Sequence, residues 1–406
     1  MTKDTYFRRG FGLKAEIEGQ LTADYASSVV DSFRAHGNVL TVGPLTFRLA
    51  KEFGFCYGVD RAVDYAYETR AKFPDRRIFL VGEIIHNPHV NHKLEAMGIR
   101  FLEHTAGAPF DFSDIGPEDV VILPAFGVTV GDFARLREIG CVLVDTTCGS
   151  VLNVWKRVES YARDGFTAVI HGKYYHEETK ATASQVEKYP GGRYLVIRDM
   201  AEARPVFEFI EGRGDAAALR AQFAHAASPD FDPARDLARV GIANQTTMLA
   251  GESLAIAAEF KKSFAARHGA EEAERRFRSF DTLCSATQER QDAVHKLLEE
   301  HVDLMLVVGG YNSSNTCHLA ALAQSKGVTT FHLEDALCVD TAAGTLRHQP
   351  VGAKQETVAP RGWLEGHTII GLTAGASTPN NKVGETVARV CEMAGLGAEL
   401  ERALAE

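Results

Sequence analysis

The sequence predicts an α/β protein built on parallel sheets, and three observations carry that reading. Short apolar, β-branched runs recur along the chain, each bounded by a polar or Gly-rich turn. A helical pattern of about ten residues or more follows each run, the rhythm of buried parallel β-α units. Between strand and helix lies a loop dense in His, Asn, Ser, Thr or Cys.

In chain order, the strand-bearing runs are RIFLVGEIIHNPHVN (77–91), DVVILPAFGVT (119–129), CVLVDTTCGS (141–150) and FTAVIHGKYYHEE (166–178). RVGIANQTTM (239–248), DLMLVVGGYNSSNT (303–316) and TIIGLTAGASTP (368–379) complete the set. Segments 59–72, 151–163, 252–268, 288–300 and 383–394 carry apolar residues at i, i+3, i+4 spacing and read as amphipathic helices. Residues 1–40 stand outside this rhythm as an extension with one amphipathic helix near 22–36. Residues 200–239, rich in Ala, Arg and Asp with Pro205, Pro229 and Pro233, read as a surface insertion.

Bulk properties narrow the class. The chain has 406 residues, which predicts two or three domains. Apolar content of 45% with 24% charged residues excludes general disorder. A net charge of −10, with no Lys/Arg run longer than two, argues against nucleic acid or an anionic membrane as main partner. The longest stretch free of charged residues, 304–325, is interrupted by Gly309–Asn315 and cannot be a bilayer helix. The N-terminal segment has neither a secretory apolar core nor transit-peptide composition, so the expected location is cytoplasmic.

Seven cysteines, an odd number without a C-x-x-C pair, make structural disulfides, zinc ribbons and bacterial ferredoxin runs poor readings. Any one of them alone reads equally well as a small buried hydrophobe. Cys56, Cys148 and Cys284 nevertheless stand at corresponding places, just before helices, and the last two share Asp-Thr-x-Cys. Helix N-termini favour thiolates, and thiolates are soft ligands for zinc or iron–sulfur clusters. Three of them, 92 and 136 residues apart, would leave one metal corner open.

The loops add uncharged donors at strand ends: His86, Asn87, Thr146, Thr147, His176, Asn244, Gln245, Thr246, Thr247, Asn312, Ser313, Ser314, Asn315 and Ser377, with Glu178 as an acid. In parallel sheets such loops bind ligands, and this set suits an anion held by neutral groups and helix N-termini. Simple helix capping is the alternative for any single loop.

FGFCYGVDRAV, EIIHNP, DTTC, HGKYYHEETKATAS, NQTTM, DTLCSATQERQ, GGYNSSNT and TAGASTP occur in this order between about residues 44 and 395. The series resembles the 4-hydroxy-3-methylbut-2-enyl diphosphate reductase family, iron–sulfur enzymes that end the methylerythritol phosphate route to isoprenoids. It is most similar to the longer branch found in cyanobacteria and plants. The resemblance implies a trefoil of three parallel-sheet α/β domains around a central cavity. The implied division is an extension (1–43), domains at 44–145, 146–280 and 281–379 with one cysteine each, and a helical tail (380–406). Carried over by position, Cys56, Cys148 and Cys284 would hold a [4Fe–4S] cluster with one open iron. His86, His176, Ser313, Ser314, Asn315 and Ser377 would bind diphosphate, Thr246 would lie near the substrate hydroxyl, and Glu178 would supply a proton, with His176 and Thr246 beside it. Phe126 replaces a histidine common in the family, and Gly149 replaces a proline. No nucleotide-binding fingerprint is present, so the implied electron source is ferredoxin or flavodoxin. The competing readings are a quinolinate-synthase-like [4Fe–4S] lyase and a non-catalytic iron–sulfur sensor.

Overall fold

A computed structural model of the protein describes residues 5–103, 109–280 and 282–405; Asp281, the first residue of one Asp-Thr-x-Cys signature, lies outside them. Two compact units divide the chain. The first comprises Met1–Arg9, Phe73–Ile84 and Gly98–Cys284. It holds two sheets. One has the order Tyr6–Phe7, Val142–Asp145, Val120–Leu123, Ile78–Val81, Ile99–Leu102, and every neighbouring pair is parallel. The other runs Phe277–Ser279, Val240–Asn244, Thr167–His171, Tyr194–Ile197, again all parallel. The inner strands are buried along their whole length, which is why their sequences read as unbroken apolar runs.

The second unit comprises Gly10–Lys72, Ile85–Met97 and Ser285–Glu406. Its five-stranded sheet has the order Thr329–Leu333, Leu304–Val308, Ile369–Ala374, Leu45–Leu49, Val39–Val42. Only the Val39–Val42 edge pairs antiparallel. A small antiparallel sheet of Val339–Asp340, Thr345–His348 and Thr357–Ala359 was not anticipated, because its strands are too short for an apolar period to show.

The structure alters three sequence expectations. Residues before 44 are woven into the fold rather than appended. Tyr6–Phe7 forms a sheet edge, and helices Lys14–Tyr25 and Ser28–Ala35 replace the single expected helix. Val29, Val30 and Phe33 of the latter join the core of the second unit, while Ser27 caps it by accepting from Val30 N–H. Leu45–Leu49, expected to open the first domain, lies instead in the sheet of Leu304–Val308. The 200–239 segment is not purely superficial: Val206, Phe207, Ile210, Phe223 and Phe231 fill the core beside the second sheet. Its Ala- and Arg-rich exposed faces had masked the apolar stripe.

Two glycines let the third sheet's loops approach closely. A β-carbon at Gly309, whose φ is +143°, would strike the hydroxyls of Thr378 and Thr316, and one at Gly375 would strike Thr316. Gly375→Ala is therefore expected to lower stability by about 1–3 kcal/mol, the usual cost of overpacking. Gly251→Ala, in open space inside helix Ala250–His268, is expected to be neutral or stabilising by up to about 1 kcal/mol. Thermal melts of the two variants check the contrast.

Candidate functional site

Each parallel sheet delivers one of the three candidate cysteines at the carboxyl end of a strand. Cys148 follows Val142–Asp145 and is the N-cap of helix Gly149–Arg163. Its N–H donates to Ala125 O at 2.8 Å. The carboxylate of Asp145 accepts from both the N–H (3.0 Å) and hydroxyl (2.5 Å) of Thr147, fixing the turn before it. Cys284 follows Phe277–Ser279 in the second sheet and donates its N–H to Thr246 O at 3.4 Å. The Ser150 hydroxyl donates to Cys284 Sγ at 3.2 Å, drawing that thiol to the first turn of the Cys148 helix.

Cys56 belongs to the second unit, between Leu45–Leu49 and helix Tyr57–Lys72. Its N–H donates to Ala376 O at 3.3 Å, and its carbonyl accepts from Asp60 N–H at 2.9 Å. The buried guanidinium of Arg290 clamps the preceding turn, donating to Gly54 O (2.7 and 3.1 Å) and Phe55 O (3.1 Å). These three cysteines are half-buried. Cys141 and Cys391 are buried in apolar cores, and burial pushes their thiols up to about 11 and about 12. Such thiols stay protonated and make poor ligands. Cys338 is buried too, and Cys317 donates its S–H to Tyr311 O.

The acid of the site lies in the first unit. His176 ends the loop after Thr167–His171 and caps helix Glu177–Ser184, its Nδ1 accepting from Glu178 N–H at 3.2 Å. Glu178, only 3% exposed, binds Thr246 with both oxygens. Oε1 accepts from Thr246 N–H at 2.6 Å and Oε2 from Thr246 Oγ1 at 2.8 Å. Thr246 thus touches the acid with its amide and hydroxyl, and Cys284 with its carbonyl. Phe126 is buried, its ring edge-on to His176 with centroids 6.3 Å apart.

The second unit assembles His86, Ser313, Ser314, Asn315 and Ser377. Ser313 caps helix Ser314–Ser325, and the Ser377 hydroxyl lies 3.3 Å from Ser313 Oγ and 3.1 Å from His86 O. Asn315 Oδ1 accepts from Ala376 N–H at 2.9 Å. Ser314 Oγ and Asn315 Nδ2 are buried and meet no partner among the described residues. Leaving a buried donor unmet costs about 1–3 kcal/mol, so a ligand rich in acceptor oxygens fits this helix start.

Fold and side-chain set together describe a parallel-sheet α/β protein with three half-buried cysteines and a buried, polar helix start at strand carboxyl ends. The chain belongs to the family described as LytB protein, which it matches over residues 47–391. It is 48% identical to the 4-hydroxy-3-methylbut-2-enyl diphosphate reductase of Gloeobacter violaceus, over 98% of this chain and 94% of that protein. The enzyme of the same name from Thermosynechococcus vestitus is 46% identical over 96% and 95%. Among solved structures, E-1-hydroxy-2-methyl-but-2-enyl-4-diphosphate reductase from Plasmodium falciparum shares the fold with a TM-score of 0.62 at 20% identity, covering 85% of this chain and 87% of that one. A second, described as (E)-4-hydroxy-3-methyl-but-2-enyl diphosphate reductase, the terminal enzyme of the non-mevalonate pathway, gives 0.50 at 26% identity, covering 85% and 99%.

Sequence reasoning missed Ser150, Arg290 and His332. The first two sit inside the motifs Cys148-Gly149-Ser150 and DTLCSATQERQ, but nothing in a helical pattern marks them as inward-facing. His332, on strand Thr329–Leu333, places Nε2 2.9 Å from Gly309 O and sets its ring edge-on to Tyr311 at 5.0 Å. It braces the loop that carries Ser313–Asn315. Burial lowers its pKa from 6.5 to about 4, so the folded ring is neutral. Between those values the unfolded chain takes up a proton that the folded ring refuses. Stability from this group is therefore whole above pH 6.5 and is lost as pH falls towards about 4. Thermal melts between pH 7.5 and 4.5 are expected to decline less steeply in His332→Gln, which keeps a neutral donor, than in the wild type.

Proposed function

We propose that this chain is a 4-hydroxy-3-methylbut-2-enyl diphosphate reductase, an oxidoreductase closing the methylerythritol phosphate route in the cytoplasm. The reaction removes an allylic hydroxyl: two electrons and two protons enter, water leaves, and isopentenyl and dimethylallyl diphosphates result. Cys56, Cys148 and Cys284 are the three ligands of a [4Fe–4S] cluster. When bound, that cluster supplies electrons one at a time and an iron with a free coordination position.

The chain's own residues do the rest. Ser313, Ser314, Asn315, Ser377 and His86, with His176 from the second sheet's loop, bind the diphosphate through neutral donors and a helix N-terminus. Anchoring there fixes the substrate's hydroxyl and removes its freedom to tumble. Hydroxide is a poor leaving group and needs a proton. For the transfer, protonated Glu178 donates from Oε2 to Thr246 Oγ1, and the Thr246 hydroxyl turns from Oε2 to the departing oxygen and gives it its own proton. The 2.8 Å contact between those atoms already has the length such a relay requires.

One observation carries this reading: Thr246 joins the buried acid and a cysteine loop through one backbone unit. A quinolinate-synthase-like lyase would need arginines for a dicarboxylate, but Arg290 is spent on the Gly54 and Phe55 carbonyls. A non-catalytic sensor leaves the Glu178–Thr246 pair without work. Reduced ferredoxin or flavodoxin is the electron source.

Cys56→Ser, Cys148→Ser and Cys284→Ser are each expected to lose most iron on anaerobic purification, whereas Cys141→Ser and Cys391→Ser keep it. Glu178→Gln preserves the contacts to Thr246 but has no proton to give. Its cluster content should match the wild type while turnover with an artificial reductant falls on the order of 10²-fold or more. Wild-type turnover in that variant rules out the proton relay.

A further inference from the structure

The chain carries a net charge of −10, yet one face of its first unit is basic. Helix Gly149–Arg163 leads away from Cys148 and bears exposed Arg157, whose guanidinium lies 4.0 Å from the ring centroid of Phe280. Phe280 is 42% exposed, and its inner face stacks towards buried Tyr161 with centroids 6.4 Å apart. Below it, Arg239 and Arg278 lie 4.0 and 4.2 Å from the ring of Phe166. Arg163 and Arg278 share one acid, Asp164, at 3.2 and 2.5 Å. Arg239 donates to the backbone carbonyl of Asp164 at 3.1 Å, so only Arg163 and Arg278 pair with its carboxylate, and Arg157 meets no acid among the described residues.

A charged face usually needs no partner, but two features distinguish this one. The rings hold Arg157, Arg239 and Arg278 in place, so little side-chain entropy is lost when an anionic surface arrives. An exposed aromatic ringed by arginines is also the composition of interface anchors rather than of ordinary solvated surface. The face is near the thiols as well. Arg157 is nine residues along the helix from Cys148, about 13 Å by helix rise. Phe280 precedes Cys284 by four residues, a reach of at most about 14 Å.

We propose that the Arg157–Phe280 face docks an acidic one-electron carrier protein. This rests on the reductase reading, which requires two electrons from outside the chain. Two carriers dock in turn; each gives one electron, is thereby oxidised, and leaves. Arg163, Arg239 and Arg278 steer the approach, while Arg157 and Phe280 form the contact nearest the thiols. Steering predicts a donor rate that falls steeply with salt.

The test compares two reductants on the same anaerobic enzyme: a reduced acidic ferredoxin and the small, non-docking methyl viologen. Arg157→Gln and Arg157→Glu are expected to lower kcat/KM for ferredoxin progressively, by about tenfold or more for Glu, and to flatten its salt dependence. Phe280→Ala lowers the ferredoxin rate without changing the salt slope. Rates with methyl viologen stay within about twofold of wild type. Unchanged ferredoxin kinetics in Arg157→Glu, or equal losses with both reductants, overturns the docking face. No turnover by the wild type with methyl viologen would instead sink the reductase reading. The face would then stand or fall on whether ferredoxin binding weakens from wild type through Gln to Glu.

Discussion

Everything proposed for this protein depends on how one threonine is held. Thr246 lies two residues past the end of strand Val240–Asn244, and its amide and hydroxyl occupy both oxygens of Glu178. Its carbonyl accepts from the backbone of Cys284. A carboxylate 3% exposed is costly unless hydrogen-bonded, and these two donors are what allow it to sit there. The same contacts register the acid against a cysteine-bearing loop within a single peptide unit. A slip of the Glu178 side chain by one ångström would break both of its contacts to Thr246 at once. That is why the acid comes from a helix start and the threonine from a strand end, both rigid elements.

The same construction recurs in the second unit with different chemistry. Ser313 caps its helix, leaving Ser314 Oγ and Asn315 Nδ2 buried and unmet among the described residues. Folding accepts that cost because Gly309 and Gly375 let the loops close without side chains, and because neutral His332 ties Gly309 to the neighbouring strand. Neutral donors suit a polyanion that must also leave as product, since a full ion pair would hold it more tightly. Charge appears instead at the periphery, where the arginines around Phe280 can act at long range.

Much of this was legible in the sequence, and the legible part follows burial. Inner strands such as Val120–Leu123 and Leu304–Val308 are covered on both faces, so their apolar runs announce parallel sheets. Cys56, Cys148 and Cys284 stand out because each follows a strand and opens a helix. What stayed hidden lacked periodicity or acted at a distance. The edge strand Tyr6–Phe7 is two residues long, and Leu45–Leu49 pairs in parallel with Ile369–Ala374, over 300 residues away, which no local pattern encodes. The cysteine of each sheet was foreseeable, but not that Cys56 belongs to the sheet of Leu304–Val308. Arg290 reads as an exposed helical charge, yet it clamps the turn before Cys56.

The central claim is that three thiolates hold an iron–sulfur cluster whose remaining iron is free for the substrate hydroxyl. Mössbauer spectroscopy of the anaerobic, ⁵⁷Fe-enriched protein tests this with and without 4-hydroxy-3-methylbut-2-enyl diphosphate. Three-thiolate ligation gives one iron a signature distinct from its three neighbours, and only that signature changes when substrate is added. Four irons with equivalent all-thiolate signatures, unmoved by substrate, would contradict the account.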